Sequence, residues 1–421
     1  MLLTDRIKDK STIVGVIGMG YVGLPLAIIF AEAGFHVIGM DNQQEKLNML
    51  YKGVSYIDDI SSNRVETAVR SGKLQFYDGK VDIAIICVPT PITDDKQPNL
   101  SYITAAVEQI KGRLASRNSL VVLESSTYPG TTRDVVLPIL DKAARYIAYS
   151  PERVDPGNQT FNIVNTPKLV GGIDKESTEM ATLLYEQIVD KVVPVASPEV
   201  AETAKLYENV FRNVNIALAN EMALICERIG VSVWEVIDAA ATKPFGFMPF
   251  YPGVGVGGSC IPKDPYYLIN KVKECGLYPT LIETSTFINE QQPNRVKHWI
   301  IDTLIGKEIN ARKAKVVVLG VAFKKDVSDT RDSPSIELIN RLHDYGMDVV
   351  YNDPYVPELS DRLVSEELDD ELLESADCVV IATDHSCYKW EQIVEKARLV
   401  FDCRNATKSI TSNNVHRLGE D

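Results

Sequence analysis

The chain has 421 residues and a formal net charge of −14; 45% of its residues are hydrophobic and 24% charged. Such a length suggests two or three domains, and the apolar and charged fractions are those of a globular protein. The acidic balance argues against a nucleic-acid or anionic-membrane surface, so an anionic ligand must be held by local cations and backbone amides.

The opening stretch, 1–10, carries no signal-peptide apolar region, and no run approaches the length that spans a bilayer. A strand signal over 12–17 runs into Gly18-Met-Gly20-Tyr21-Val22-Gly23, then into a helical pattern over 24–32, and a second strand over 35–41 ends in Asp41. Apolar runs at 81–88, 120–123 and 168–170 alternate with helical stretches at 104–114 and 132–142. Strands alternating with helices imply a parallel sheet covered on both faces.

From 198 to about 230 the pattern is helical, with neither Gly nor Pro inside it. It reads as a spine between two halves, with helices continuing to about 309. Such a spine suits a homodimer contact and equally suits an ordinary interdomain helix. A second alternating unit follows, with strands at 315–323, 348–351, 377–382 and 399–402 and a helix at 335–345. It lacks the first unit's glycine triplet, and the polar tail after 407 is expected to fray. The predicted fold is α/β: two doubly wound Rossmann-like domains, 1–197 and 310–421, joined through 198–309 by a long central helix and a small helical domain.

Gly18, Gly20 and Gly23 stand between a strand and a helix, with Asp41 closing the next strand. The glycines allow a tight turn and close approach of a pyrophosphate to the helix N-terminus, while the acid accepts from ribose hydroxyls and repels a 2′-phosphate. NAD is therefore the expected cofactor. Cys87-Val88-Pro89-Thr90-Pro91 and Glu124-Ser-Ser126-Thr127-Tyr-Pro-Gly130 end later strands on the edge where open sheets bind ligands, although Pro- and Gly-rich loops also serve as plain punctuation.

Ser150-Pro-Glu152-Arg153 adds a carboxylate and a guanidinium after a strand. Lys205 and Asn209, four apart on the helical spine, share one face, suited to holding a developing alkoxide or to facing solvent. In Gly253-Val-Gly-Val-Gly257-Gly-Ser259-Cys260-Ile-Pro-Lys263-Asp264, the cysteine lies on a turn with little side-chain cover, placed to react as a nucleophile. The cysteines, Cys87, Cys226, Cys260, Cys275, Cys378 and Cys403 among them, form no Cys-x-x-Cys pair. No metal is expected, and the setting reads as reducing and cytoplasmic. A dinucleotide site plus a reactive thiol suggests an alcohol oxidised twice, with the aldehyde caught as a thiohemiacetal and released from a thioester by water.

Gly18-Met-Gly-Tyr-Val-Gly-Leu-Pro25, Val88-Pro-Thr-Pro91, Ser126-Thr-Tyr-Pro-Gly130, Ser150-Pro-Glu152, Gly257-Gly-Ser-Cys-Ile-Pro-Lys-Asp264 and Gly320-Val-Ala-Phe-Lys-Lys325 follow one another along nearly the whole chain. In these the sequence resembles the UDP-glucose/GDP-mannose dehydrogenases, the nucleotide-sugar 6-dehydrogenases. The resemblance implies Cys260 as nucleophile, Lys205 and Asn209 as oxyanion partners, Asp264 orienting water or the thiol, and Thr127 and Glu152 assisting water and proton transfer. It implies an NAD site of Gly18, Gly20, Tyr21, Val22, Gly23, Asp41, Val88, Pro89, Thr90, Ser126 and Thr127. A UDP-sugar would meet Glu152, Arg153, Lys205, Asn209, Phe250, Tyr251, Gly253 and Gly257, with Phe323, Lys324, Asp329, Arg331 and Arg404 toward its nucleotide half.

The loops at 150–158 and 241–253 resemble the branch that oxidises UDP-N-acetylglucosamine, supplying a uronic acid for surface polysaccharide. Ser259 and Lys263 depart from that branch. The same chemistry on UDP-N-acetylmannosamine, UDP-N-acetylgalactosamine or UDP-glucose stays open, as does a sensor that binds NAD or a nucleotide sugar without turnover; a sensor needs no thiol.

Overall fold

The computed structural model describes residues 2–57, 60–155, 157, 158, 160–360 and 363–420; Pro156, inside the loop that suggested the N-acetyl branch, lies outside them. Two compact units divide the chain: Met1–Glu208 with Tyr266–Tyr278, and Asn209–Pro265 with Pro279–Asp421.

The first unit is built on β1 (Ile13–Ile17), β2 (His36–Met40), β3 (Leu74–Gln75), β4 (Ile83–Ile86), β5 (Leu120–Leu123), β6 (Tyr146–Tyr149), β7 (Lys168–Gly172) and β8 (Val192–Pro194), in the order β3-β2-β1-β4-β5-β6-β7-β8. β4 and β5 are buried at every position, as strands covered on both faces must be. One apolar core holds Val14, Val16, Leu26, Phe30 and Ile85; the opposite face packs Ile86, Val107, Val121 and Ile147. The sheet is not wholly parallel, as the alternation of elements predicted: β7 runs antiparallel to β6, pairing Ala148 with Gly172 and Tyr149 with Gly171. The described residues between them, 150–155, 157, 158 and 160–167, form no crossover helix, and β7 returns in the reverse direction. Ahead of β1, the helix Leu3–Lys8 is tied to the sheet by Arg6, whose two terminal nitrogens donate to Asp82 at 2.7 and 2.6 Å.

The helix Pro198–Ile229 is unbroken, as its Gly- and Pro-free interior predicts, and the boundary between the units falls inside it. In the second unit, β9 (Lys315–Leu319), β10 (Asp348–Asn352), β13 (Cys378–Ile381), β14 (Val400–Asp402) and β15 (Val415–Arg417) form a parallel sheet in the order β10-β9-β13-β14-β15. A short antiparallel pair, β11 (Glu358–Ser360) with β12 (Leu363–Val364), follows β10 in the chain.

The tail does not fray. β15 adds a parallel edge strand to β14, Arg417 donates to the carbonyls of Thr407 and Ile410 at 2.8 and 2.7 Å, and the Leu418 carbonyl accepts Trp234 Nε1–H at 2.9 Å. Side chains that bond backbone carbonyls hold it together with Ile410, Val415 and Leu418, which pack on the apolar core; these few anchors are spread among polar residues, which is why its composition misled.

Candidate active site

In the first unit the glycine turn has the shape of a phosphate cradle. Gly18 has φ +93°, and a Cβ there would come within 2.5 Å of the Cys87 carbonyl oxygen; a Cβ at Gly23 would overlap the Gly18 carbonyl oxygen. A Cβ at Gly20 would meet nothing within 4 Å, so the turn is open at that position. The helix Gly23–Glu32 begins at once, with no side-chain cap and no acid in its first turn, so its N-terminal amides face no competing anion of their own. Asp41 Oδ2 accepts the Met19 amide at 2.8 Å and Oδ1 the Gln43 amide at 2.9 Å, which fixes the carboxylate against the turn. These residues fit NAD: amides at a helix start for the pyrophosphate, and an anchored acid for a ribose.

The loops after β4 and β5 border the same sheet edge. Ser125 Oγ donates to the Val88 carbonyl at 2.8 Å, Tyr267 OH to the Thr90 carbonyl at 2.8 Å, and buried Thr127 shares a hydrogen bond with Thr131 at 2.6 Å. Glu202, which sequence reasoning missed, is fully buried and accepts from the amides of Gly130 (2.6 Å) and Thr132 (2.9 Å) and from the Thr132 hydroxyl (2.7 Å). It fastens the start of the long helix to the loop that carries Ser126 and Thr127.

After β6, Glu152 Oε1 accepts the amides of Arg153 and Val154 at 2.7 and 2.9 Å, and Lys168 Nζ lies 3.6 Å from Oε2. Burial pushes the Glu152 carboxyl up, but Lys168 and those amides outweigh it and hold the group below the usual carboxylate value. The Arg153 side chain donates to the Pro167 carbonyl and pairs with Glu208 at 2.7 Å. Lys205 lies on the same helix, half-buried, and its charge also favours ionised Glu152.

In the second unit, Cys260 sits half-buried on its turn with Sγ 3.5 Å from Ser259 Oγ. Its carbonyl accepts the amides of Lys263 and Asp264 at 3.0 and 2.8 Å, where the helix Asp264–Glu274 starts. Asn209 and Asp264, 5% and 2% exposed, are joined by an Asn209 Nδ2–H bond to Asp264 Oδ2 at 2.6 Å. The glycines of this turn are sites of close approach: a Cβ at Gly257 would lie 2.6 Å from Phe323 Cβ, and one at Gly253 would lie 2.8 Å from an Arg404 terminal nitrogen. Gly258 donates its amide to the Arg331 carbonyl at 2.9 Å. Lys263, three residues after the thiol, has its ammonium paired with Asp332 at 2.6 Å.

Arg331 is held by Asp329, with Nε 2.9 Å from Oδ1, and Arg404 donates to Asp384 at 3.3 Å. Lys324 stands on the same loop as Phe323, after β9. Phe250 packs edge-on against Phe211, whereas Tyr251 stacks on Trp234 and donates to Asp238 at 2.7 Å. All seven cysteines, Cys387 included, are free thiols. Among the described residues no helix is long and apolar enough to cross a membrane.

The family models for the UDP-glucose/GDP-mannose dehydrogenases match in chain order: the NAD binding domain over 12–189, the central domain over 199–291 and the UDP binding domain over 317–409. The chain belongs to the UDP-glucose/GDP-mannose dehydrogenase family, and so is an NAD-dependent nucleotide-sugar dehydrogenase.

It is 38% identical to the UDP-N-acetyl-D-mannosamine dehydrogenase of Methanocaldococcus jannaschii over 89% of this chain and 86% of that one. It is 35% identical to the UDP-N-acetyl-D-glucosamine 6-dehydrogenase of Salmonella typhi, covering 82% of each. The solved structure of the UDP-D-ManNAc dehydrogenase from Pyrococcus horikoshii superimposes with a TM-score of 0.88 at 33% identity, over 97% of this chain and 99% of that one.

Proposed function

We propose that the enzyme oxidises the C6 hydroxymethyl of a UDP-N-acetylhexosamine to the carboxylate, in two hydride transfers and one hydrolysis. NAD, which the Gly18–Gly23 turn and Asp41 would hold, would supply the oxidant for both steps, two equivalents per sugar. Cys260 adds to the C6 aldehyde as a thiolate, giving a thiohemiacetal whose second oxidation leaves a thioester. Water cleaves the C–S bond, and the thiol returns. Lys205 and Asn209 stabilise the alkoxide, Asp264 fixes Asn209 and orients water or the thiol, and Thr127 and Glu152 serve the water and its proton.

The observation that carries this reading is the buried Asn209–Asp264 hydrogen bond: Asp264 follows the Cys260 turn directly and shares its backbone hydrogen bonds. A binding-only sensor has no use for a thiol with such a support. Gly18, Gly20, Tyr21, Val22, Gly23, Asp41, Val88, Pro89, Thr90, Ser126 and Thr127 are assigned to NAD. Arg153, Phe250, Tyr251, Gly253, Gly257, Phe323, Lys324, Arg331 and Arg404 are assigned to the UDP-sugar, and the domains to 1–197, 198–309 and 310–421.

Of the two epimers, the relatives named for UDP-N-acetylmannosamine match over more of the chain than those named for UDP-N-acetylglucosamine. This favours the manno substrate over the gluco one expected from the loops. A homodimer through the long helix belongs to the same proposal, supported by Phe211, Leu218, Ile225 and Ile229, which are large and exposed at near-heptad spacing, as do cytoplasmic placement and a role in polysaccharide synthesis.

NADH absorbance with a panel of UDP-sugars tests the reading. Two NADH per sugar from UDP-N-acetylmannosamine, and none with Cys260→Ala, are expected. One NADH per sugar with free aldehyde released overturns the covalent scheme; turnover confined to the gluco epimer overturns the substrate.

A further inference from the structure

We propose that Lys168 is a positioning residue for this reaction: its buried ammonium, set between Glu124 and Glu152 at the ligand edge of the first sheet, keeps Glu152 ionised and aimed. The inference rests on the role given above to Glu152.

Topology brings the three groups together. β7 runs antiparallel to β6, so extending the Tyr149–Gly171 pairing beyond the strand end sets Lys168 opposite Glu152. Glu124 follows β5, parallel to β6, and Tyr185 ends the helix Lys175–Tyr185. Lys168 Nζ lies 3.0 Å from Glu124 Oε2, 3.6 Å from Glu152 Oε2 and 3.4 Å from the Pro151 carbonyl, and it stands 5.0 Å from the centre of the Tyr185 ring. Tyr185 OH donates to the other Glu124 oxygen. The Lys168 and Glu124 side chains are 4% and 0% exposed.

A purely structural ion pair would be complete with Lys168, Glu124 and Tyr185. Glu152 is a second carboxylate on one cation, and its two oxygens are treated differently. Oε1 takes two backbone amides, whereas Oε2 is buried and makes no hydrogen bond to the protein. One pinned oxygen and one available oxygen suit a carboxylate that must accept a proton from a reactant.

The charges facing this carboxylate are Lys168 from β7, Glu124 from the end of β5, Lys205 from the long helix, and the Cys87 thiol from the end of β4, which burial pushes up and keeps neutral. Burial also pushes Glu124 up, with Glu152 adding to that push and Lys168 opposing it, whereas Glu152 is held down; two carboxyls around one ammonium are thereby driven apart in acidity. Both Glu124 oxygens already accept a donor, from Lys168 and Tyr185, whereas Glu152 keeps one oxygen open, which leaves Glu152 as the base.

The test is the pH dependence of kcat/KM in the full-length enzyme, with Lys168→Arg, Lys168→Met, Lys168→Met/Glu124→Gln and Glu152→Gln. Lys168→Met should move the acid limb upward by about one pH unit or more, with the KM for NAD changed less than about two-fold, and Lys168→Arg should restore the limb. The double variant removes the cation without stranding Glu124, so it serves if the single one fails to fold. An unshifted limb in the folded double variant overturns the inference. Glu152→Gln separates the two readings. Wild-type rate and profile there sink the role of Glu152 itself; lost activity there beside an unshifted Lys168 series sinks only the role of Lys168.

Discussion

The two Rossmann-like sheets begin with nearly the same construction and finish it differently. β1 leads to Gly18 and β9 to Gly320, both at positive φ (+93° and +81°). Gly18 donates its amide to the Met40 carbonyl at 2.7 Å, and Gly320 to that of Asn352 at 2.9 Å. The acid after the neighbouring strand accepts from the residue after each glycine: Asp41 from Met19 at 2.8 Å, Asp353 from Val321 at 2.7 Å.

Beyond that point they diverge. In the first sheet the helix starts at Gly23 without a cap, and Asp41 keeps part of its surface open. In the second, thirteen residues separate Gly320 from the helix Pro334–Tyr345, and Ser333 caps it. Asp353, 1% exposed, also takes the Ala322 amide and fully buried His385. His385 Nδ1 accepts the Asp326 amide, so the proton lies on Nε2 and is donated to Asp353. A sealed acid and a capped helix leave no dinucleotide cradle there. The long loop instead carries Lys324 and Arg331, the cations proposed above for the nucleotide half of the substrate. The shared topology thus says little about the ligand; what the glycine turn and the acid are bonded to decides it.

The largest effect expected from this contrast is at Gly23. Gly23→Ala places a Cβ on the Gly18 carbonyl oxygen, backbone against backbone, and should weaken NAD binding by about 100-fold or more, read by NADH fluorescence titration. Gly320→Ala puts its Cβ 2.6 Å from the Thr383 carbonyl oxygen; it should lower Tm and UDP affinity and leave the NAD Kd of the folded fraction unchanged. Loss of NAD binding in both variants would mean the turns are not specialised.

His385→Leu comes next. It strips a buried partner from Asp353 and should cost about 2–3 kcal/mol in urea unfolding, again with unchanged NAD affinity. The pH dependence follows from the sign of the Asp353 shift. Burial pushes that carboxyl up, but the His385 hydrogen bond and the amides outweigh it, holding it below the ordinary 3.8. Its stabilisation is therefore present above 3.8 and is lost as pH falls through the lower folded-state value, so Asp353→Asn should flatten the acid end of the stability profile.

Asp41→Asn is smaller still: about a ten-fold loss of NAD affinity with a relative gain for NADP. If NADP discrimination does not change, Asp41 is a structural acid like Asp353.

The contrast explains what was legible from sequence. The first cradle was, because Gly18, Gly20, Gly23 and Asp41 lie within one strand-helix-strand unit, where local spacing fixes geometry. Of the Cys260 segment only the turn was legible, from its run of glycines; its packing against Phe323 was not. Asp353–His385 and Glu124–Lys168–Glu152 were not, since each joins residues from different strands whose adjacency depends on sheet order. The Lys168 contact depends on β7 reversing direction, which apolar runs do not reveal. A lysine opening a buried strand was the only local hint.

The smallest effect comes from the helix starts. Ser333 Oγ accepts the Ser335 amide at 3.3 Å, so Ser333→Ala should cost about 1 kcal/mol of stability and nothing in NAD binding. Its counterpart, the helix Gly23–Glu32, has no side-chain cap to lose; Leu24 and Leu26 give their amides to the Gly20 and Val22 carbonyls and Pro25 has none, so a phosphate there is met by the turn that opens the helix. Saturating NAD should therefore protect the amides of Tyr21–Gly23 from hydrogen exchange and leave those of 333–335 unchanged. UDP should not protect the first set. Equal protection of both helix starts by NAD would mean the second has kept the dinucleotide-binding capacity that its capped helix and buried acid argue against.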